Sequence, residues 1–397
     1  MKTIVISFCV TLFTLFQAVA QQSKPMRDVV NGALDFSMQQ SLRMAAKYAD
    51  STAVLPRSFI DGKMVTSSSR WWCSGYFPGV LWYLYEYSGD DQVLDFARNY
   101  TSRIEREKHV TEHHDIGLML YCSFGNGFRL TGDPHYRDVL LTGSSSLGTR
   151  FNPKIGLVRS WDWNRHRWQY PVIIDNMMNL ELLLWGAKES DNGKLRDMAV
   201  SHADYTMLNH YRGDGSCYHV VSYDTLSGKP HIKENFQGLA DESSWSRGQA
   251  WGLYGYVMMY RETGNPRYLG QALKITDFLI SHTRMPKDYI PYWDFDAPNI
   301  PDELRDASAG AIMASAWTEL SRYVHKELAD RLVNVVEIQL RTLASPAYTA
   351  KLGENGDFIL KHSVGFMLED AEVDVPLTYA DYYYVEALVR YKQLVGF

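Results

Sequence analysis

The 397-residue sequence predicts an all-α protein, a closed ring of helical hairpins of the (α/α)-barrel type. Three observations carry this. Apolar residues recur at helical spacing through most of the chain, as in Leu81-Trp82-Leu84-Tyr85, Leu180-Leu182-Leu183-Leu184, Ile312-Met313-Ala316-Trp317-Leu320 and Leu332-Val335-Val336-Leu340. One helix–turn–helix pattern is used several times. Alternating β-branched runs are few; Tyr218 to Tyr223 (YHVVSY) and Asp357 to Leu360 (DFIL) are the best strand candidates.

Residues 1–20 read as a signal peptide. Lys2 precedes the apolar stretch Ile4 to Phe16, which is too short to span a bilayer comfortably, and Ala18-Val19-Ala20 is a small-x-small cleavage site. Cys9 lies inside the apolar stretch, not at its end, which argues against a lipid anchor. The mature chain, residues 21–397, is expected to be exported to the periplasm as a single domain, a monomer or weak oligomer. Removing Cys9 leaves Cys73, Cys122 and Cys217, whose spacing fits no zinc template; three buried thiols are expected.

The hairpins announce themselves at their turns. Tyr87-Ser88-Gly89-Asp90, Leu130-Thr131-Gly132-Asp133-Pro134 and Glu262-Thr263-Gly264-Asn265-Pro266 each follow an aromatic apolar helix and open a second one. A left-handed Gly ends the first helix, and Asp or Asn caps the next. In two of the three, Pro fills the first turn, where a missing N–H does no harm. The turns are unevenly spaced, too irregular for an open solenoid. A ring with long loops at one end fits, its site at one mouth. Inner helices should be largely apolar, as Met177 to Trp185 is.

Net charge is −6, so nothing suggests a nucleic-acid surface, and no basic amphipathic stretch suggests a membrane surface. Eleven Trp and 26 Tyr suit a sugar-binding chain or a merely aromatic core. The densest site-like stretch is Asp241 to Tyr256, DESSWSRGQAWGLYGY. An Arg247 fork can grip a carboxylate, and a Trp245 or Trp251 face can stack on a pyranose.

Trp72 to Trp82 reads WCSGYFPGVLW. It resembles the W-x-S-G-F-x-P-G-x-x-W signature of unsaturated glucuronyl hydrolases, glycoside hydrolase family 88, with Tyr76 in place of Phe. Further blocks follow in the family's order: His114-Asp115-Ile116-Gly117, Ile174 to Leu180, His219, Gln237-Gly238 through Trp251, Asp306 to Ala311, and Ala380 to Leu388, where Ala380 replaces a Gly. The resemblance covers about residue 70 to the C-terminus. It implies an (α/α)6 barrel of six hairpins and no cofactor. It implies an enzyme that takes unsaturated disaccharides or short oligosaccharides made by polysaccharide lyases. Such an enzyme hydrates the C4=C5 bond of the terminal uronic acid, a vinyl ether.

By this resemblance Asp175 is the acid/base and Asp115 the second carboxylate. Asp175 sits between Ile174 and an apolar run, where desolvation should raise its pKa. Each Asp could instead cap a helix, beginning at Asn176 and at Ile116. Substrate carriers by resemblance are Trp72, His114, Trp161, His219, Gln237, Arg247 and Trp251, with Trp163 able to stand in for Trp161. Adjacent His113 and His114 without a matching cluster are not read as a metal site. Asp306 and Ser308 fit the pattern but read as caps. Members acting on sulfated disaccharides carry Ser-x-x-Ser-x-Lys before the final block. A gap-free count back from Asp381 puts Phe366, Glu369 and Ala371 there, so sulfate recognition through that loop is not expected. Rival readings are a rhamnogalacturonyl hydrolase acting on pectin fragments, a sugar 2-epimerase-like isomerase, and a binding protein that has lost catalysis.

Overall fold

The computed structural model describes residues 24–397, so the signal-peptide reading lies outside the described residues. Among the described residues six inner positions form the ring, one of them filled by a pair of short helices. They are α2 (Tyr76–Ser88), the pair α4 (Ile116–Leu120) and α5 (Asn126–Thr131) joined by a π turn at Tyr121–Gly125, α7 (Leu180–Ser190), α9 (Ser246–Thr263), α11 (Ala307–Leu320) and α13 (Thr378–Val395). Each packs on the next, and α13 returns to α2. Outside them lie α1 (Met26–Lys47), α3 (Asp91–Ser102), α6 (Pro134–Gly148), α8 (Gly193–Asn209), α10 (Pro266–Ser281) and α12 (Lys326–Leu343). Every inner helix but α13 hairpins into its outer partner; α13 takes α1 from the other end of the chain.

The three expected turns are present. Gly89, Gly132 and Gly264 end their helices at φ 65, 67 and 67°, and the Asp90, Asp133 and Asn265 side chains accept from the next turn's N–H groups. A fourth turn of the same kind was not anticipated, because Asp191 takes the left-handed position (φ 51°) before the cap Asn192. Asp tolerates that region where most residues do not.

The inner helices come close because of glycine spacing on α2. A Cβ on Gly75 would lie 2.3 Å from Met119 O, and one on Gly79 would meet the Tyr382 ring at 2.4 Å and Cys122 O at 2.8 Å. The two glycines are four apart, so one face of α2 admits both the neighbouring π turn and α13. The aromatic side chains of this interior, Tyr76, Tyr379, Tyr382 and Tyr383, then meet edge to face or tilted. At the far end charge closes the ring: Arg261 bonds Glu319 at 2.9 Å and also pairs with Glu181, while Arg390 bonds Glu319 at 2.9 Å and Glu386 at 3.2 Å. Cys73, Cys122 and Cys217 are free and buried.

All strands among the described residues lie between the end of an outer helix and the start of the next inner one, at a single mouth. They are β1 (Leu55–Ile60) with β2 (Lys63–Ser67), β3 (Phe151–Asn152) with β4 (Leu157–Val158), the sheet β5 (Pro171–Ile173), β6 (Val220–Tyr223) and β7 (Pro230–Glu234), and β8 (Ser363–Phe366) with β9 (Ala371–Val375). Two expectations need correction. Asp357 to Leu360 is not a strand: Asn355–Asp357 is a 3-10 turn, Asp357 pairs with Arg43 at 2.9 Å, and the strands fall later in the chain. Met177 to Trp185 is not one α-helix either. Ile174–Asn179 is 3-10, because Asn179 lies against Gly117 and accepts Leu118 N–H at 2.7 Å, which holds the backbone in the tighter coil.

Candidate active site

At the stranded mouth a cavity of about 860 Å3 runs into the ring. All nine side chains singled out by resemblance line it: Trp72, His114, Asp115, Trp161, Asp175, His219, Gln237, Arg247 and Trp251. They come from loops or the first two turns leading into α2, α4, α7 and α9. The positive ends of those helices therefore face the cavity, which favours an anionic ligand.

Neither carboxylate serves as a cap. Asp115 holds the N-cap place of α4 but in helical conformation (φ −63°, ψ −13°), and Asp175 is already inside the 3-10 turn, whose N-cap is Ile173. Neither gives its helix a side-chain cap bond. Both side chains are thereby released toward the cavity, 20% and 17% exposed.

Their electrostatics diverge. Asp175 is pushed up from 3.8 to about 7, chiefly by burial; Arg247 opposes this and the charge of Asp115 adds to it. Burial would raise Asp115 too, but His114 and His113 outweigh it and hold Asp115 below the usual carboxylate range. His114 Nε2 lies 3.3 Å from Asp115 Oδ1 and His113 Nδ1 3.4 Å from Oδ2. One acid near neutrality beside one fixed anion is the division of labour that two carboxylates need for proton transfer.

His219 faces Asp175 Oδ2 with Nε2 at 3.6 Å. Its Nδ1 accepts Gln237 N–H at 3.2 Å, which places the imidazole proton on Nε2. Burial, then Arg247, keeps this ring well below its ordinary pKa, so it is neutral. The buried Trp251 indole N–H favours the ionised Asp175 carboxyl group and, like His219 Nε2, makes no hydrogen bond in the resting site. Two N–H groups thus wait on the carboxylate that proton donation leaves behind.

Arg247 departs from its expected use. Its terminal nitrogens donate to Val364 O and, at 2.6 Å, to Gly365 O, so the fork is occupied and only buried Nε lacks a partner. It can meet a carboxylate through Nε and through its charge, not as a free bidentate clamp. Trp161 and Trp163 stack at 4.6 Å with planes 16° apart; Trp161 is buried and Trp163 is 50% exposed at the rim, and both line the cavity. Sequence reasoning missed Tyr379, whose buried hydroxyl has no partner, and Trp71 with Arg57 3.9 Å over its ring. Tyr379 stands immediately before the recognised Ala380 to Leu388 block, the one signal that could have found it. Phe366, Glu369 and Ala371 all lie on the cavity wall and offer no Ser or Lys there. Among the described residues no group of three or more His, Cys, Asp or Glu is arranged to hold a metal ion.

The model for Glycosyl Hydrolase Family 88 matches residues 48–264. An unsaturated glucuronyl hydrolase of Formosa agariphila is 45% identical over 329 residues, 82% of this chain and 81% of that protein. The chain belongs to Glycosyl Hydrolase Family 88. A crystal structure of an unsaturated glucuronyl hydrolase specific for heparin is similar with a TM-score of 0.91 at 47% identity, covering 93% of this chain and 98% of that one. The unsaturated glucuronyl hydrolase from Bacillus sp. GL1 is similar with a TM-score of 0.85 at 27% identity, covering 92% and 96%. The family 88 chain is therefore a glycosidase with the all-α ring of hairpins that its turns suggested, six in number as the resemblance implied.

Proposed function

We propose that Asp175 and Asp115 carry out the hydration of a 4,5-unsaturated uronic acid at the non-reducing end of lyase-generated glycosaminoglycan fragments. The observation that supports this best is the pairing of a carboxyl near neutrality with an ionised one at the floor of an aromatic cavity. Asp175 gives its proton to C4 of the vinyl ether. Positive charge then spreads over C5 and the ring oxygen, beside the fixed anion of Asp115. Water adds its oxygen to C5 and returns a proton to the Asp175 carboxylate, which His219 and Trp251 have stabilised meanwhile. Across the double bond the net addition is one water. The resulting hemiketal opens at the C5–ring oxygen bond, and the hemiacetal left at C1 releases the aglycone. The anomeric bond is never attacked, so the spacing rule for retaining and inverting glycosidases does not apply.

The preferred substrate is a heparin-type disaccharide. The similarity to an enzyme described as specific for heparin supports this; because Phe366, Glu369 and Ala371 offer no Ser or Lys on the cavity wall, any sulfate is held elsewhere in the site. The enzyme acts outside the cytoplasm, since residues 1–20 read as an export signal. The test is a panel of unsaturated heparin, chondroitin, hyaluronan and rhamnogalacturonan disaccharides with defined sulfation. Turnover is followed as loss of the ultraviolet absorbance of the conjugated alkene. Asp175→Asn should keep affinity and lower kcat by about 10²–10⁴-fold, the usual worth of general acid–base catalysis. Failure on every glycosaminoglycan disaccharide, or an active Asn variant, overturns the reading.

A further inference from the structure

The block Asp306 to Ala311 takes no part in the chemistry above. Asp306 does cap α11: its Oδ1 accepts from Ser308 N at 3.0 Å and Ser308 Oγ at 2.6 Å. A cap needs nothing more. Yet this carboxylate is fully buried and reaches two other segments. Oδ1 also accepts Val364 N–H, on β8, at 3.4 Å, and Oδ2 lies 3.4 Å from Arg247 Nη1, on α9. Arg247 in turn donates to the carbonyls of Val364 and Gly365, and Gln237 Nε2 reaches Gly365 O at 3.4 Å. Two consecutive residues of β8 are thus gripped, at an N–H and at both carbonyls, by an ion pair that belongs to two barrel helices.

The hairpin needs such a grip. Its strands pair only with each other and join no larger sheet. Asp370, Glu372 and Asp374 within it, and His362 just before it, hold positive φ angles of 50, 57, 54 and 62°. Asp and His tolerate that conformation, but Glu372 keeps it only where surrounding structure imposes it. The same hairpin supplies one wall of the cavity, through Gly365, Phe366 and Glu372.

We propose that Asp306 is a positioning residue for the reaction: through Arg247 it latches the β8–β9 hairpin in the place where that hairpin walls the substrate cavity. It touches no substrate. The proposal rests on the cavity being the substrate site, but the latch itself is read by a measurement that needs no turnover.

The test compares Asp306→Asn with Ser308→Ala in the full chain. Both weaken the α11 cap, but only the first removes the charge that holds Arg247. Asp306→Asn should raise KM about tenfold while kcat stays within about threefold, the pattern of a lost binding geometry. It should also speed amide hydrogen exchange across residues 363–375. Ser308→Ala should change neither. In an Arg247→Lys background, adding Asp306→Asn should cost less than about twofold more, because residues acting as one unit are not additive. Identical behaviour of the Asn and Ala variants, or unaltered exchange at 363–375, overturns the latch; so does full additivity with Arg247→Lys. Should Asp306→Asn not fold, exchange in Arg247→Lys alone decides, since an unloosened hairpin there refutes the proposal equally.

Discussion

Raising the pH from 6 to 9 should switch the enzyme off by withdrawing one proton. Asp175 is pushed up to about 7 by burial, with Asp115 adding and Arg247 opposing. If free enzyme must carry that proton, kcat/KM follows the protonated fraction. With a pKa near 7 that fraction is roughly 0.9 at pH 6, 0.5 at pH 7, 0.09 at pH 8 and 0.01 at pH 9, so kcat/KM should fall about ninety-fold across the range. Three titratable neighbours of Asp175 do not blur this limb. Asp115 is held below the usual carboxylate range, while His114 and His219 are held down mainly by burial, so none gains or loses its proton above pH 7. The assay is the initial rate of absorbance loss, with substrate well below KM, at each pH. A second arm uses Asp115→Asn. Its residual activity should show the limb displaced to lower pH, because a neighbouring anion that raises the Asp175 pKa has gone. A rate that keeps climbing to pH 9, a limb near an ordinary carboxylate, or an alkaline displacement in the Asn variant would each refute the assignment of Asp175 as the acid.

Other consequences follow from the packing. Gly75→Ala would drive a methyl group to 2.3 Å from Met119 O; it should cost about 1–3 kcal/mol or more and lower the thermal midpoint, and an unchanged midpoint would show that α2 can retreat. Asp381 is pushed up to about 7 by burial although it accepts N–H bonds from Ile359 and Leu360. Its folded pKa lies above the unfolded one, so the stability it contributes is whole below about pH 4 and is lost as pH rises through 7, up to about 4 kcal/mol. Asp381→Asn should flatten melting temperature against pH over that window; an undiminished slope would place the titration elsewhere. Trp163→Ala removes a half-exposed ring at the rim and should raise KM several-fold with little change in kcat, whereas an unchanged KM would mean that the aglycone does not lie on it.

The barrel was legible because its hairpin turns are local. A left-handed Gly followed by a capping Asp or Asn is decided within four residues, and Gly89, Gly132 and Gly264 behave as that chemistry dictates. What escaped was set at long range. The pairing of α13 with α1 joins the two ends of the chain, and no local pattern announces it. β8 is bonded by Arg247 and Asp306, far away in sequence, and the left-handed Glu372 and Asp374 of β9 read as loop. Asn179 tightens its own helix only because Gly117 lets another segment approach.

The site shows the same division more sharply. An Asp before an apolar helical run is ordinarily a cap, and in sequence Asp90, Asp133, Asp306, Asp115 and Asp175 all look alike. The first three point back at their own N–H groups. Asp115 is wound into helical conformation at the cap position and Asp175 sits one step inside its turn, so neither carboxylate meets its own helix's first amides. A cap that does not cap leaves charge to be satisfied elsewhere, and here both such charges face one cavity. Asp306 shows that the two roles also combine, since it caps α11 and holds Arg247 with the same carboxylate. Where the backbone places an aspartate relative to its own helix start therefore decides whether it stabilises the fold or is free for chemistry, and that placement depends on contacts a linear pattern does not contain.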